Sequence, residues 1–584
     1  MTLSRSLALL PFLALPIPAQ SPGEVVDFQP INSDEGGLPG PLATPGAFGS
    51  SATSLGDLNG DGVTDVAVGA SNHGAFQGAV WILFLAPDGT VAETSLIASE
   101  ENGMAAIPDM AYFGESVASL GDLDGDGVVD LAVGAPGVLD DAGLVWILFL
   151  ASDGSVKGTS AVGPFSGGFT GHLETSDQFG TSVEGLGDLS GDGIPDLAVG
   201  AVGDDDGGSN FGAVWLLALD VDGTVKSHSK ISQTAGGFGG DLSDATYFGA
   251  GLANLGDFDG NGVADLAVGA SAVWPVLAHS GKAFVLFLEP GGTVLSHVRI
   301  ESGMEELPDI FSNLSVFGDD VENLGDLDGD GLPELGVGDS QGGDGGVVWV
   351  LFLNGDGSLR QSVRIDVDDG GPSAGLPIAQ FDLFGSGLAA LGDLDGDARP
   401  ELFVGSRGFA SGANPFFDPG GAYVLTLEAA IGAQVQPMGC GVNPPDSLGV
   451  VAGELAEGGG LTVALHNSLG TQSHGSLPVL LVAVQPSAAH PCGLALPGWG
   501  MAGGGAAGEL LISHLPTTPV VAPILGPAWF GTPAEIVLPG PAPGSGLAGL
   551  EFYVQGFLWD PTAAGGVQFG LTDALALTVG SAAL

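Results

Sequence analysis

Six short phrases carry the residues of this chain whose types and spacing could do chemistry. They read DLNGDGVTD from Asp57, DLDGDGVVD from Asp122, DLSGDGIPD from Asp188, DFDGNGVAD from Asp257, DLDGDGLPE from Asp326 and DLDGDARPE from Asp393. Each offers side-chain oxygens at positions 1, 3, 5 and 9 and a main-chain carbonyl at position 7. The first set is Asp57, Asn59, Asp61 and Asp65 with the carbonyl of Val63. The second is Asp122, Asp124, Asp126 and Asp130 with Val128, and the third Asp188, Ser190, Asp192 and Asp196 with Ile194. The fourth is Asp257, Asp259, Asn261 and Asp265 with Val263. The fifth is Asp326, Asp328, Asp330 and Glu334 with Leu332, and the sixth Asp393, Asp395, Asp397 and Glu401 with Arg399. A hard cation such as Ca²⁺ takes about six to eight oxygens at ~2.3–2.6 Å, and Gly at position 6 permits the turn that aims them inward. Carboxylates this crowded repel one another unless a cation sits among them. The expectation is up to six bound Ca²⁺ ions.

The loops are unequal. Ser190 puts a hydroxyl where a carboxylate would serve better. Ala398 stands where Gly is expected and tolerates left-handed angles less well, and Arg399 adds a cation beside the sixth loop. Loops two and five have the fullest ligand sets. Other chemistry is weakly signalled. Gly338-Asp-Ser-Gln-Gly342 and Gly371-Pro-Ser-Ala-Gly375 match G-x-S-x-G, but neither is set between a strand and a helix as a nucleophile elbow requires. The nine His residues show no zinc-protease spacing. The reading is a non-catalytic protein; the alternative is an extracellular hydrolase with a site of unfamiliar form.

Elements that could position the loops recur with them. The phrases repeat every 65 to 69 residues, and a fixed period of this kind signals stacked or radial units. Phe-Gly precedes each phrase by nine residues, at Phe48, Phe113, Phe179, Phe248, Phe317 and Phe384. A short apolar run such as Leu131–Gly134 follows, then a strand-like run such as Ala79–Leu85, Val145–Leu150, Ala213–Leu217 or Val347–Leu353. These runs are β-branched and aromatic and too short for typical helices. Turns at Asp88-Gly89, Asp153-Gly154, Asp222-Gly223, Gly291-Gly292 and Asp356-Gly357 mark hairpins, and a fourth strand such as His297–Ile300 ends the unit. Four antiparallel strands per unit around an axis make a β-propeller. The sixth unit lacks a fourth strand after Ala422–Leu427, and Glu24–Phe28 resembles one. Closing the ring with that segment removes exposed sheet edges. The expected fold is therefore all-β: a β-propeller of six four-stranded blades, seven being the alternative count, then a smaller β-sandwich-like domain.

Ten Lys and Arg against 69 Asp and Glu give a formal charge of −59. Nucleic acid and anionic membrane surfaces are excluded as partners, since phosphate binding needs clustered cations. Hydrophobic residues at 44% exclude an acidic disordered chain. Residues 1–20 read as a secretory signal, with Arg5 before an apolar core from Leu7 to Ile17, and no other run is long enough to span a membrane. The mature protein is expected to be secreted or at the cell surface. Residues 21–430 form the propeller and 431–584 a β-rich domain, with strand-like runs at Leu461–Leu465, Val479–Val484, Glu551–Val554 and Ala576–Val579. Its Cys440 and Cys492 could form one bridge in an exported protein.

The Phe-Gly starts, the DxDxDGxxD loops and the Gly134-Ala-Pro136 that follows the second loop resemble FG-GAP repeats, as in the propeller of integrin α subunits and their bacterial secreted relatives. The resemblance covers Phe48 to about Leu427, and it is the source of the seven-blade alternative. It implies that calcium loops join first to second strands on one face, and that ligands meet the opposite face. It implies cell adhesion through an extracellular protein or glycan ligand, the chain itself being monomeric. On that opposite face lie Ser406–Gly421, with Phe409, Phe416 and Phe417, and the acidic segment Val202–Gly212, with Asp204, Asp205 and Asp206. The second is expected to attract a cationic partner or another metal.

Overall fold

The computed structural model describes residues 21–429 apart from 241, 272–280, 302, 305, 308–314, 344, 367–375, 380, 398 and 410–418, together with strand backbone between 436 and 578. Residues 21–429 form six four-stranded antiparallel blades. Blade 1 comprises Phe48–Gly56, Asp65–Ala70, Val80–Leu85 and Val91–Ile97. Blade 2 comprises Ser116–Gly121, Asp130–Ala135, Leu144–Leu150 and Val156–Val162. Blade 3 runs from Phe179–Gly187 through Asp196–Ala201 and Ala213–Leu219 to Val225–Ser232, and blade 4 from Phe248–Gly256 through Asp265–Ala270 and Lys282–Glu289 to Thr293–Glu301. Blade 5 has Val321–Asn323, Leu335–Asp339, Val347–Leu353 and Leu359–Ile365. Blade 6 has Phe384–Gly392, Glu401–Ser406 and Gly421–Leu427, and its fourth strand is the N-terminal Val25–Ile31, pairing Phe28 with Leu425 and Ile31 with Ala422. The count is six, and the seven-blade alternative is not met among the described residues.

The second strands show why the repeat tolerates so little variation. All six residues of Asp130–Ala135 are buried, because this strand packs against the neighbouring blade on both sides. Its Gly134 lies where any Cβ would stand 2.0 Å from the carbonyl oxygen of Gly180, the Gly of the next Phe-Gly pair. The six Phe side chains are 1% exposed or less. Phe113 meets Trp146 of its own third strand edge-on at 5.6 Å, as Phe48 meets Trp81 at 6.4 Å. Such pairs add to the burial of large apolar area.

The core is not one cluster but six, each shared by two adjacent blades. One joins blades 1 and 2 through Ile82, Phe84, Phe113 and Val133; another joins blades 6 and 1 through Phe403, Val424, Phe48 and Val68. Polar contacts repeat the same logic. Ser116 Oγ donates to Gly180 O at 3.0 Å, Ser182 Oγ to Gly249 O at 2.7 Å, and Ser386 Oγ closes the circle on Gly49 O at 2.9 Å. Since every first-to-second loop follows the same strand direction, all six acidic loops lie at one end of the ring.

Residues 436–578 carry ten further strands, in antiparallel sheets of five, three and two. They include the expected segments as Gly460–Leu465, Leu477–Ala483, Glu551–Trp559 and Phe569–Thr578. The signal segment, Cys440, Cys492, Ala398, Phe416 and Phe417 lie outside the described residues. Among the described residues no helix is long and apolar enough to cross a membrane. The N-terminal strand makes the ring testable. Ile31 is fully buried in the junction of blades 6 and 1, so Ile31→Ala should cost about 2–4 kcal/mol in denaturant unfolding. Deleting residues 21–31 should expose the Gly421–Leu427 edge and give aggregation during refolding, read by light scattering.

Candidate metal centres

Each loop is organised by its first and last acids. In loop two, Asp122 Oδ1 accepts the N–H groups of Gly125 and Asp126 at 2.8 and 2.9 Å, and its Oδ2 accepts that of Gly127 at 2.8 Å. Loop one repeats this with Asp57, and loop five with Asp326. Gly127 has φ +88° with open space where a Cβ would go, so its role is the left-handed turn and not the clearance. At position 5, Asp126 Oδ1 accepts the Val128 N–H at 3.0 Å, and the equivalent bonds hold Val63, Ile194, Val263, Leu332 and Arg399.

The position-9 acid is the anchor. Asp130 is fully buried at the start of its strand, and its two oxygens accept the N–H groups of Leu123, in the loop, and Leu150, at the end of the third strand, both at 3.0 Å. Asp65 and Asp265 make the same double contact, and Asp196 a shifted one, accepting the N–H groups of Ser190 and Leu219. Glu334 departs from it: Oε2 accepts the Leu327 N–H, while Oε1 is buried with no hydrogen-bond partner.

Four loops draw three carboxylates together with ligand oxygens within 4.8 Å of one another: Asp122, Asp124 and Asp130; Asp257, Asp259 and Asp265; Asp326, Asp328 and Glu334; and Asp393, Asp395 and Asp397. Loops one and three, with Asn59 and Ser190 at position 3, do not form such a carboxylate triad. The lone Oε1 of Glu334 is an acceptor that a hard cation between Asp326 and Asp328 would satisfy, so the residues fit a divalent ion. Bound there, such an ion would neutralise the crowded charge and tie loop to strand. Arg399 apart, the organic cations around these loops were not anticipated from the sequence. Lys157 pairs with Asp126, Lys226 with Asp192, and Arg360 with both Asp328 and Asp330. Arg399 contacts Asp397 at 3.2 Å and Glu428 at 3.0 Å. The signal was present: Lys157, Lys226 and Arg360 each stand three residues after the Gly of their hairpin turn.

The FG-GAP repeat model matches residues 48–83, 113–148 and 179–217, which are parts of blades 1 to 3. Integrin alpha-5 of Xenopus laevis is 33% identical over 247 residues, covering 41% of this chain and 21% of that protein. Integrin alpha-PS2 of Drosophila melanogaster is 32% identical over 223 residues (37% and 14%), and integrin alpha-M of Mus musculus 45% over 97 residues (16% and 8%). The ring is an integrin-like FG-GAP β-propeller. The matched segments span about a fifth or less of these relatives' length.

On the opposite end of the FG-GAP ring, one expectation fails. Asp204 and Asp206 are not a free anionic patch: Lys230 Nζ lies 2.6 and 2.7 Å from their carboxylates, and Asp204 is only 2% exposed. Lys230 also sits over the Trp215 ring at 5.3 Å and offsets one of the loop's negative charges from beneath. Asp205 caps the Asn210 N–H at 2.8 Å. Phe409 is tucked in, meeting Tyr423 edge-on at 5.9 Å. Ser340 of the first G-x-S-x-G match is buried and donates to Asp319, with a turn following it in place of a helix.

Burial sets the electrostatics of the loops. Loss of water pushes Asp65 and Asp130 up to about 6, Glu401 to about 7 and Glu334 to about 8. Without a cation, these groups favour the fold while protonated. Their contribution is full below the unfolded carboxyl value, ~4.3 for Glu, and is lost as pH rises through 6 to 8. A divalent ion requires the ionised form and so reverses the trend. Chelation should therefore lower Tm strongly near pH 8 and little near pH 5, measured by calorimetry with and without excess Ca²⁺. Asp130→Ala should destabilise by about 2–5 kcal/mol even in chelator, because it orphans two buried N–H groups. Asp126→Ala should match wild type in chelator and fall below it only in Ca²⁺.

Proposed function

We propose that this chain is an exported, calcium-stabilised interaction module of the adhesion type, which holds an extracellular protein or glycan as a monomer and without catalysis. The observation that carries the reading is the division of the integrin-like ring into two ends. One end holds all six acidic loops, whose carboxylates are spoken for by main-chain N–H groups, by Lys and Arg, and by Ca²⁺ in the loops that gather ligands. The other end holds the longer connections. There, Met110, Leu139 and Phe381 are 49%, 53% and 52% exposed, each with φ between 60° and 74°. Non-Gly residues in that region cost roughly 1–2 kcal/mol each, and such strain clusters at ligand-binding segments. The calcium loops then act as scaffold, fixing the blade ends so that the far face keeps its shape.

A glycan array and a panel of extracellular matrix proteins, probed in Ca²⁺ and in chelator, test the reading. Binding should require Ca²⁺. Leu139→Ser with Phe381→Ser, and separately Phe416→Ser with Phe417→Ser, should weaken it about tenfold or more while leaving calcium-dependent melting unchanged. Normal binding by both variants, with loss on Lys157→Ala and Lys226→Ala at the loop end, would reverse the assignment of faces.

A further inference from the structure

The inner strands of the six blades line a cavity of about 390 Å³ along the ring axis. Five residues after each Phe of the Phe-Gly pairs the chain reads Thr53, Ala118, Glu184, Ala253, Glu322 and Ala389. Glu184 of blade 3 and Glu322 of blade 5 thus enter one channel, which blade 4 lines with Ala250 and Leu252. Asp320 joins them from blade 5. No β-ladder connects the inner strands of neighbouring blades, so their amides need other partners. Glu184 Oε1 accepts the Asn254 N–H of blade 4 at 3.0 Å. Glu322 Oε1 accepts the Ala390 N–H of blade 6 at 2.8 Å, and Asp320 Oδ2 the Leu388 N–H at 2.7 Å. These acids are clips across the junctions of blades 3 with 4 and 5 with 6.

The other charged or titratable groups lining the channel are Glu115 from blade 2, Asp319 from blade 5, Tyr247 before blade 4 and Arg407 after the second strand of blade 6. Blade 1 contributes only Ser50, Ser51, Ala52 and Thr53. Arg407 is engaged with Glu115 at 3.7 Å, so it does not neutralise the clips. Nor are the clips arranged to chelate. Among the described residues, the acid triads drawn within 4.8 Å all lie in the six loops. Glu184 and Glu322 are half-buried, and a pair of like charges drawn partly out of water without a cation is relieved by a proton.

We propose that Glu184 and Glu322 form a proton-operated latch in the ring, independent of the metal loops. Protonated, each keeps Oε1 on the neighbouring blade's N–H and carries the proton on the other oxygen. Ionised, the two repel and the junctions of blades 3 with 4 and 5 with 6 loosen. The proton comes from solvent on closing and returns to it on opening, and no other bond changes. Loss of water is the larger cause, and like charge the lesser, of values raised to about 8 at both Glu184 and Glu322. Asp320 is raised as well, chiefly by burial. The sign follows: the latch contributes fully below the unfolded Glu value of ~4.3 and is lost as pH rises through about 8.

The experiment uses the full chain at saturating Ca²⁺, which holds the loop acids ionised. Wild-type Tm should fall by several degrees between about pH 6 and pH 9, and E184Q/E322Q, which keeps both acceptor oxygens, should show a flattened profile. Infrared difference spectra at pH 7 should show a protonated carboxyl stretch in the wild type that E184Q/E322Q weakens, leaving the part due to Asp320. Equal pH slopes in the two proteins, or a band of undiminished intensity after the double substitution, overturns the latch. Should E184Q/E322Q fail to fold, the wild-type spectrum decides: a protonated carboxyl band at pH 7 that fades by about pH 9 supports the latch, and no such band overturns it.

Discussion

The constraint on which the ring depends is the approach of main chain to main chain at the blade junctions. A Cβ on Gly69, Gly134, Gly200, Gly269, Gly338 or Gly405 would lie 2.0–2.2 Å from the carbonyl oxygen of the Phe-Gly glycine in the next blade. That contact brings each second strand so near its neighbour that a Ser hydroxyl can bridge the gap and the buried Phe can seal it. Six such contacts must be made at once, the last between Gly405 and Gly49, which are far apart in sequence. The N-terminal strand follows from this demand. Without Val25–Ile31, blade 6 would present an open edge just where the ring needs its last junction.

Two populations of buried carboxylate depend on that ring, and they are compensated differently. At position 9 of loops one to four the acid ties its loop to the end of the third strand by accepting an N–H from each, while Glu334 and Glu401 accept an N–H of the loop. Neighbours at positions 1 and 3 bring more negative charge, and the spacing suits a divalent ion. In the channel the acids also accept main-chain N–H groups, but they come from different blades and are not gathered for chelation. A cation answers the first arrangement and a proton the second. The same desolvation that raises Glu334 and Glu184 to about 8 therefore has opposite consequences for pH dependence once metal is present.

Much of this was legible in the sequence because it is local and repeated. The Phe-Gly pair, the acidic phrase and the Gly-containing turn each mark one position of the blade, and six copies of the first two with five of the third made the pattern secure. The closing strand was legible for a related reason: the sixth unit visibly lacks one. What could not be read depends on closure. Glu184 and Glu322 look like solvated positions on separate strands until the ring brings them into one channel. Lys230 looks like an ordinary surface cation until its strand passes beneath Asp204 and Asp206, which is why the Val202–Gly212 segment was misjudged as an anionic patch.

The charge distribution carries the last step. Ten Lys and Arg serve a chain of formal charge −59, and all nine that the structure describes are in ion pairs. Four of them stand on the acidic loops, where Lys157, Lys226, Arg360 and Arg399 each touch an acid at position 3 or 5. They temper the repulsion within the loop and do not engage the position-9 acid. With 69 acids against ten Lys and Arg, the field of the chain is negative and attracts cations. That field decays over about 8 Å at physiological ionic strength. Long-range attraction thus favours cations in general, while the choice among them rests on the loop geometry: buried oxygens at fixed spacing, reached only where the ring holds second and third strands together.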